Sequence, residues 1–400
     1  MIVSVNMMRP VLSSFADASR CPASDATCRR VHDIEPSLPI HPPFEPHSSS
    51  APCLAHSQGL SCLPAVHVLT GFHMLAEDGI RPWFEKHAHV EVRGSPGCFN
   101  LWRHGADGGT KWVQAWGPPA PVAGSNTSML RVTLDCAAKL LTWHPEYAGR
   151  YWYAAADAYE QCKAAATATL VQCDPLHAHN QTIGNEGCGR EATPPFILRA
   201  LYGHHVRVVL ALRNPIDRLE TAFWFHKQFW SVKTPTAAGL HAYATEQVAG
   251  FRSCQAAHGK RRCAFLFERL GAAQQAVFWH CNQLIRGLYA PFVAEWKAAF
   301  ESRSLVIRVE DLLDSPQATG TRLQVFLGLV SKTAWVPAVA GRAYTAAHAA
   351  SLNVSCCGGG RGEPQPMLPA TRQLLDEFYR PFNVELSAIL QDPLFDRSWS

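Results

Sequence analysis

The stretch VRVVLALRNPIDRLETAFWF, Val206 to Phe225, limits the fold of this chain more than any other. Val206 to Leu212 is apolar except for Arg207, and the chain then turns polar at Arg213-Asn214-Pro215. An apolar run of that length followed by a helical pattern predicts a buried strand, a short turn and a helix. In parallel α/β sheets, ligands sit beyond the carboxyl ends of strands. Arg213 stands at such an end, with Arg218 and the hydroxyl of Thr221 in the helix that follows. Two guanidiniums, a hydroxyl and a helix N-terminus directed at one place form an anion site suited to phosphate. The competing assignment pairs Arg213 and Arg218 with Asp217 and Glu220 on the surface.

The rest of the chain carries the same alternation. Residues 1–63 are rich in Pro, Ser, His and Ala without periodicity, and are expected to be a disordered, low-complexity segment. An ordered domain is expected over 64–400, opening on a strand within Pro64–Phe72 and a helix through AEDGIRPWFEKHAHV. A glycine- and proline-rich loop follows at about 105–130, then an alanine-rich helix over Tyr151–Thr167 and a strand at TLVQCDP. Residues 271–300 read as a long helical stretch interrupted or bent near Pro291, 304–313 as a second clear strand, and SPQATGTRLQVFLGL as the helix behind it. Strands alternating with helices imply an α/β fold, a central parallel sheet with helices on both faces.

Composition excludes several classes. A net charge of +4, with no basic run longer than Lys260-Arg261-Arg262, argues against nucleic acid. No stretch of about 18 apolar residues is present, so no membrane anchor is visible, and the opening residues make a poor signal peptide. Fourteen cysteines without a CxxC pair argue against zinc, and no metal site is expected. With N-x-[ST] sequons at Asn126, Asn180 and Asn353, the cysteines lean towards an oxidising secretory compartment. A luminal chain would pair some of them, Cys254 with Cys263 across a short loop.

LRNPIDRLETAF resembles the 3′-phosphate-binding segment of the PAPS-dependent sulfotransferases, Arg-x-Pro-x-x-Arg-x-x-Ser. Arg213, Pro215 and Arg218 match, and Thr221 stands at the serine. Residues 284–329 are similar to the same family's later segment through Glu310-Asp311-Leu312 and Phe326-Leu327-Gly328-Leu329. Residues 356–390 resemble the closing segment of the Golgi carbohydrate sulfotransferases, with a glycine loop at Gly358–Gly362 and a helix carrying Phe378-Tyr379-Arg380-Pro381 and Asn383. The resemblance implies the P-loop-like sulfotransferase fold and sulfuryl transfer from PAPS to a hydroxyl, on a glycan or other acceptor, in the Golgi lumen. It implies Arg213, Arg218, Thr221, Arg361 and Gly360 as nucleotide ligands.

The sequence departs from the family at the 5′-phosphosulfate loop. That loop would fall at 71–79, where FHMLAEDG offers no lysine, serine or threonine and two acids, Glu77 and Asp78. Acids at a helix N-terminus repel a phosphosulfate. His73 or Arg81 would have to supply the cation. For the base that takes the acceptor proton, the nearest carboxylate is Glu91, with His87, His89 and His104 as alternatives. The rival expectation is a catalytically impaired relative that binds nucleotide or glycan without turnover. A kinase-like reading fails because no Walker lysine exists.

Overall fold

The computed structural model describes residues 53–56, 59–62, 64–70, 75–87, 89–94, 129–135, 141–142, 195, 198, 206–225, 234–267, 270, 272–329 and 365–399. Two short strands, β1 (Cys53–His56) and β2 (Gly59–Cys62), pair antiparallel within the N-terminal segment. The main sheet contains β3 (Val66–Thr70), β4 (Val90–Gly94), β5 (Leu130–Asp135), β6 (Arg207–Leu212) and β7 (Ser304–Arg308). Its order is β4-β5-β3-β6-β7, and every neighbouring pair is parallel.

Helix α1 (Leu75–Lys86) follows β3, and α2 (Pro215–Phe225) follows β6. Helices α3 (Ala237–His258), α4 (Lys260–Leu266), α5 (Ala272–Ile285) and α6 (Tyr289–Phe300) come next. After β7 come α7 (Val309–Asp314), α8 (Pro316–Leu327), α9 (Pro369–Leu390) and α10 (Leu394–Arg397). Successive β6 side chains point to opposite faces, as the pleat requires. Val208, Leu210 and Leu212 join a core with Phe223, Phe251, Trp296 and Phe378, while Val209 and Ala211 join Ile80, Phe84, Leu312 and Leu323. Helices therefore cover both faces, as the alternating pattern implies.

The helical stretch 271–300 is interrupted near Pro291, by a break at 286–288 that separates α5 from α6. Pro291 sits in the first turn of α6, where its missing N–H has no helical partner to lose. The strand expected over 304–313 ends at Arg308, and Glu310 and Asp311 lie in the first turn of α7. Acids are favoured there by the helix dipole, and that preference ends the strand. The helix expected to run through to Val90 ends at Lys86, and Val90–Gly94 is strand β4. The helix expected at Tyr151–Thr167, the strand at TLVQCDP and most of the 105–130 loop lie outside the described residues.

A disulfide joins Cys254 in α3 to Cys263 in α4, Cα atoms 6.0 Å apart. It closes the Gly259 corner, where φ is 82° and a side chain would be strained. The pairing expected of a luminal chain is thus present. Among the described residues no helix is long and apolar enough to cross a membrane.

Candidate functional site

The strand order places a switch point between β3 and β6. From β3 the chain crosses to β4 on one side, and from β6 it crosses to β7 on the other. Thr70 and Ala211 are register partners at the carboxyl ends of these two strands. Connections that part in opposite directions leave a crevice there, the usual ligand position in open parallel sheets. The turn at Arg213-Asn214 bounds it, and His73 lies outside the described residues.

Arg213 meets Thr221 in that turn. Its Nη1 donates to Thr221 Oγ1 at 3.0 Å, and the same hydroxyl donates to the Asp217 carbonyl at 2.8 Å. Burial pulls the Arg213 guanidinium below its ordinary value, while Asp217 and Glu310 pull it back. Asn214 organises the start of α2: its Oδ1 accepts from Ile216 N at 2.9 Å, and its carbonyl accepts from Arg218 N at 2.9 Å. Pro215 takes the first helical position, which its fixed φ suits.

Arg218 is turned to a different task. It is 1% exposed, and its guanidinium donates to Gln283 Oε1 at 3.2 Å and also to the Gln283 carbonyl. The guanidinium therefore ties α2 to α5 instead of joining the Arg213–Thr221 pair. Asp217 pairs with Arg372 of α9 at 2.9 Å, so one acid near Arg213 already has a cation of its own. Burial raises the Glu220 carboxyl and Asp217 adds to the rise, while Arg372 opposes both.

The turn is packed from behind. A Cβ on Gly287 would lie 2.8 Å from Pro215 Cβ and 2.8 Å from both Tyr379 Cε1 and its hydroxyl oxygen. Only glycine permits this approach of the α5–α6 connection to the start of α2. Tyr379 in turn donates to the Leu284 carbonyl at 2.8 Å.

No protein-family model matches the chain. The chain is 25% identical over 211 residues to carbohydrate sulfotransferase 15 of Homo sapiens, across 51% of this chain and 34% of that protein. The protein of the same name from Mus musculus is 24% identical over 212 residues, with the same two coverages of 51% and 34%. Over about half of its length the chain is similar to carbohydrate sulfotransferases. It spans about a third (34%) of the length of the curated relatives it matches. Among solved structures it is similar to a sulfotransferase from Alicyclobacillus acidocaldarius, at a TM-score of 0.45 and 12% identity over 84% of this chain and 98% of the other.

Within the five-stranded sheet, Glu91 stands far from the crevice. It is the second residue of β4, and its carboxylate takes Arg131 Nε at 3.1 Å and Nη2 at 3.0 Å. Arg131 is fully buried, and its carbonyl accepts from Ala65 N. Ala65 is level with Val206, one residue before the Val66–Arg207 register pair. Arg213 lies seven residues further along the parallel strands, roughly 23 Å away at about 3.3 Å per residue. Glu91, the carboxylate expected as a base, is thus half of an ion pair at the amino end of the sheet, and the fold does not bring it to Arg213 and Thr221. His87 and His89 join α1 to the same end of β4, with burial and then His89 lowering the His87 value.

Arg81 lies half-buried in α1, with Glu85 at 3.6 Å. His73, His104, Gly360 and Arg361 lie outside the described residues. Among the described residues no group of three or more His, Cys, Asp or Glu is placed to hold a metal. Sequence reasoning missed Glu310, Tyr289 and Gly287 as supports of the turn. Strand register would have pointed to the first of them: Leu212 pairs with Arg308, so residues two beyond each, 214 and 310, come together.

Proposed function

We propose that this chain transfers a sulfuryl group from 3′-phosphoadenosine 5′-phosphosulfate (PAPS) to a hydroxyl of a carbohydrate acceptor, in the Golgi lumen. The observation that carries the reading is the Arg213–Thr221 contact of 3.0 Å beside the switch point. A guanidinium and a hydroxyl held together at the carboxyl end of a strand form a receptor for one phosphate, with donors from two side chains. In this reading they take the 3′-phosphate, and Thr221 swings its proton from the Asp217 carbonyl to a phosphate oxygen. Arg218 contributes by fixing α2 to α5.

Arg361 and Gly360 are proposed to approach the nucleotide from the glycine loop before α9. His73, in the loop leaving β3, is proposed as the cation at the 5′ end. In the transfer, the acceptor oxygen bonds to sulfur as the bond from sulfur to the 5′-phosphate oxygen breaks. The electron pair leaves on 3′-phosphoadenosine 5′-phosphate (PAP), and the acceptor proton goes to a base. A cation near the departing oxygen lowers the barrier, and in this reading His73 supplies it. The Cys254–Cys263 disulfide supports an oxidising compartment.

Arg213→Ala tests the reading. It should weaken PAP by about 30- to 150-fold, the equivalent of about 2–3 kcal/mol for charge-assisted bonds. Adenosine 5′-phosphosulfate, which has no 3′-phosphate, should bind the variant as it binds the parent protein. Labelled sulfate should pass from PAPS to a panel of glycosaminoglycans with the parent protein and not with Arg213→Ala. Equal losses for both nucleotides would refute the assignment.

A further inference from the structure

The peptide unit between Arg213 and Asn214 is gripped at both of its polar ends. Tyr289, at the start of α6, donates its hydroxyl to the Arg213 carbonyl at 2.9 Å. Glu310, in the first turn of α7, accepts the Asn214 N–H at 2.7 Å through Oε1. These are the C=O and the N–H of one planar group, so two side chains from different elements fix its orientation. With that plane fixed, ψ of Arg213 and φ of Asn214 are fixed, and the Arg213 side chain leaves the backbone in one direction. Its guanidinium reaches Thr221 along that direction.

Both partners are built for the task. Tyr289 is 1% exposed, and burial pushes its hydroxyl up to about 12, so it remains a donor across the physiological range. Trp399, also 1% exposed, packs against it with ring centroids 5.8 Å apart. Glu310 Oε2 is sealed from solvent. Burial raises the Glu310 carboxyl, and the Asn214 N–H and the Arg213 charge oppose the rise. A carboxylate is a costly group to place there unless it holds something.

We infer that Tyr289 and Glu310 are positioning residues for anion recognition: they clamp the Arg213–Asn214 peptide and so set the guanidinium for the 3′-phosphate. This rests on the functional reading above, in which Arg213 binds that phosphate. Neither residue touches the nucleotide. Their effect is selective for ligands that carry a phosphate at the 3′ position, which distinguishes a clamp from general support of the fold.

The test uses Tyr289→Phe, Glu310→Ala and Glu310→Gln in the full chain, titrated with PAP and with adenosine 5′-phosphosulfate. Tyr289→Phe removes only the donor oxygen, and Glu310→Gln keeps an oxygen for the Asn214 N–H. Tyr289→Phe and Glu310→Ala should each weaken PAP about tenfold and leave adenosine 5′-phosphosulfate within about twofold. Glu310→Gln should recover most of the PAP affinity. If Tyr289→Phe and Glu310→Ala bind PAP as the parent does while Arg213→Ala loses it, the clamp is refuted and the Arg213 reading stands. Equal losses for both ligands also refute the clamp. A parent protein that does not bind PAP overturns the functional reading and the clamp with it. If Glu310→Ala fails to fold, Tyr289→Phe decides.

Discussion

Gly287→Ala probes the packing that presses the phosphate turn into place. The added Cβ would stand 2.8 Å from Pro215 Cβ and 2.8 Å from two atoms of Tyr379. Carbon pairs settle at about 3.5–4.0 Å, so each contact is short by roughly an ångström. Pro215 is a rigid ring at the start of α2, and Tyr379 is fully buried with its hydroxyl on the Leu284 carbonyl. Neither can move without loss. Overpacking of this kind costs about 1–3 kcal/mol, and a lost buried hydrogen bond adds about 1. A destabilisation of about 2–4 kcal/mol follows. Gly250→Ala is the matched control. It lies inside α3, its nearest neighbour would be Val277 Cγ1 at 3.5 Å, and alanine there should stabilise by about 0.5–1 kcal/mol. Urea unfolding of the two variants and the parent gives the comparison, with Gly287→Ala moving the midpoint down and Gly250→Ala moving it up or not at all. Gly287→Ala should also weaken PAP, because Pro215 directly follows the clamped turn. A Gly287→Ala protein as stable as the parent would refute the close approach.

Two other perturbations separate stability from binding. Replacing Cys254 and Cys263 together by alanine opens a loop of sequence separation 9, and the chain-entropy relation gives a loss of about 2–3 kcal/mol, read as a lower unfolding midpoint. Arg131→Met strands the Glu91 carboxylate and should cost about 3–5 kcal/mol, while Glu91→Gln should cost less and leave sulfate transfer intact. Loss of transfer in Glu91→Gln with PAP affinity and unfolding midpoint unchanged would make Glu91 the base.

The strands at the centre of the sheet were legible because burial on both faces makes them almost wholly apolar, as in Val208 to Leu212. The strands on the other side of β3 were hidden by charge. In β4 and β5, Glu91 and Arg131 break the apolar pattern, and only the register that pairs them shows that each answers the other. The end of β7 was hidden for the opposite reason: Val309 and Leu312 continue the apolar run after the backbone has become helical. At the candidate site, Arg213 and Thr221 were legible from spacing, since eight residues across a turn and two helical turns can return a hydroxyl to the strand end. The role of Arg218 was not legible. Its partner Gln283 lies 65 residues away, and a surface phosphate ligand and a buried brace look alike in sequence. Tyr289 and Glu310 were silent for the same reason, because their work is on backbone atoms that carry no side-chain signature.

In the proposed site Arg213 and Thr221 form a receptor for a 3′-phosphate. Calorimetric titration of the unmodified chain with PAP and with adenosine 5′-phosphate, identical except for that group, isolates its contribution. If the two side chains hold the 3′-phosphate, PAP binds tighter by about 30- to 150-fold, matching the loss expected in Arg213→Ala. Equal affinity for the two nucleotides would rule out a 3′-phosphate receptor at Arg213 and Thr221.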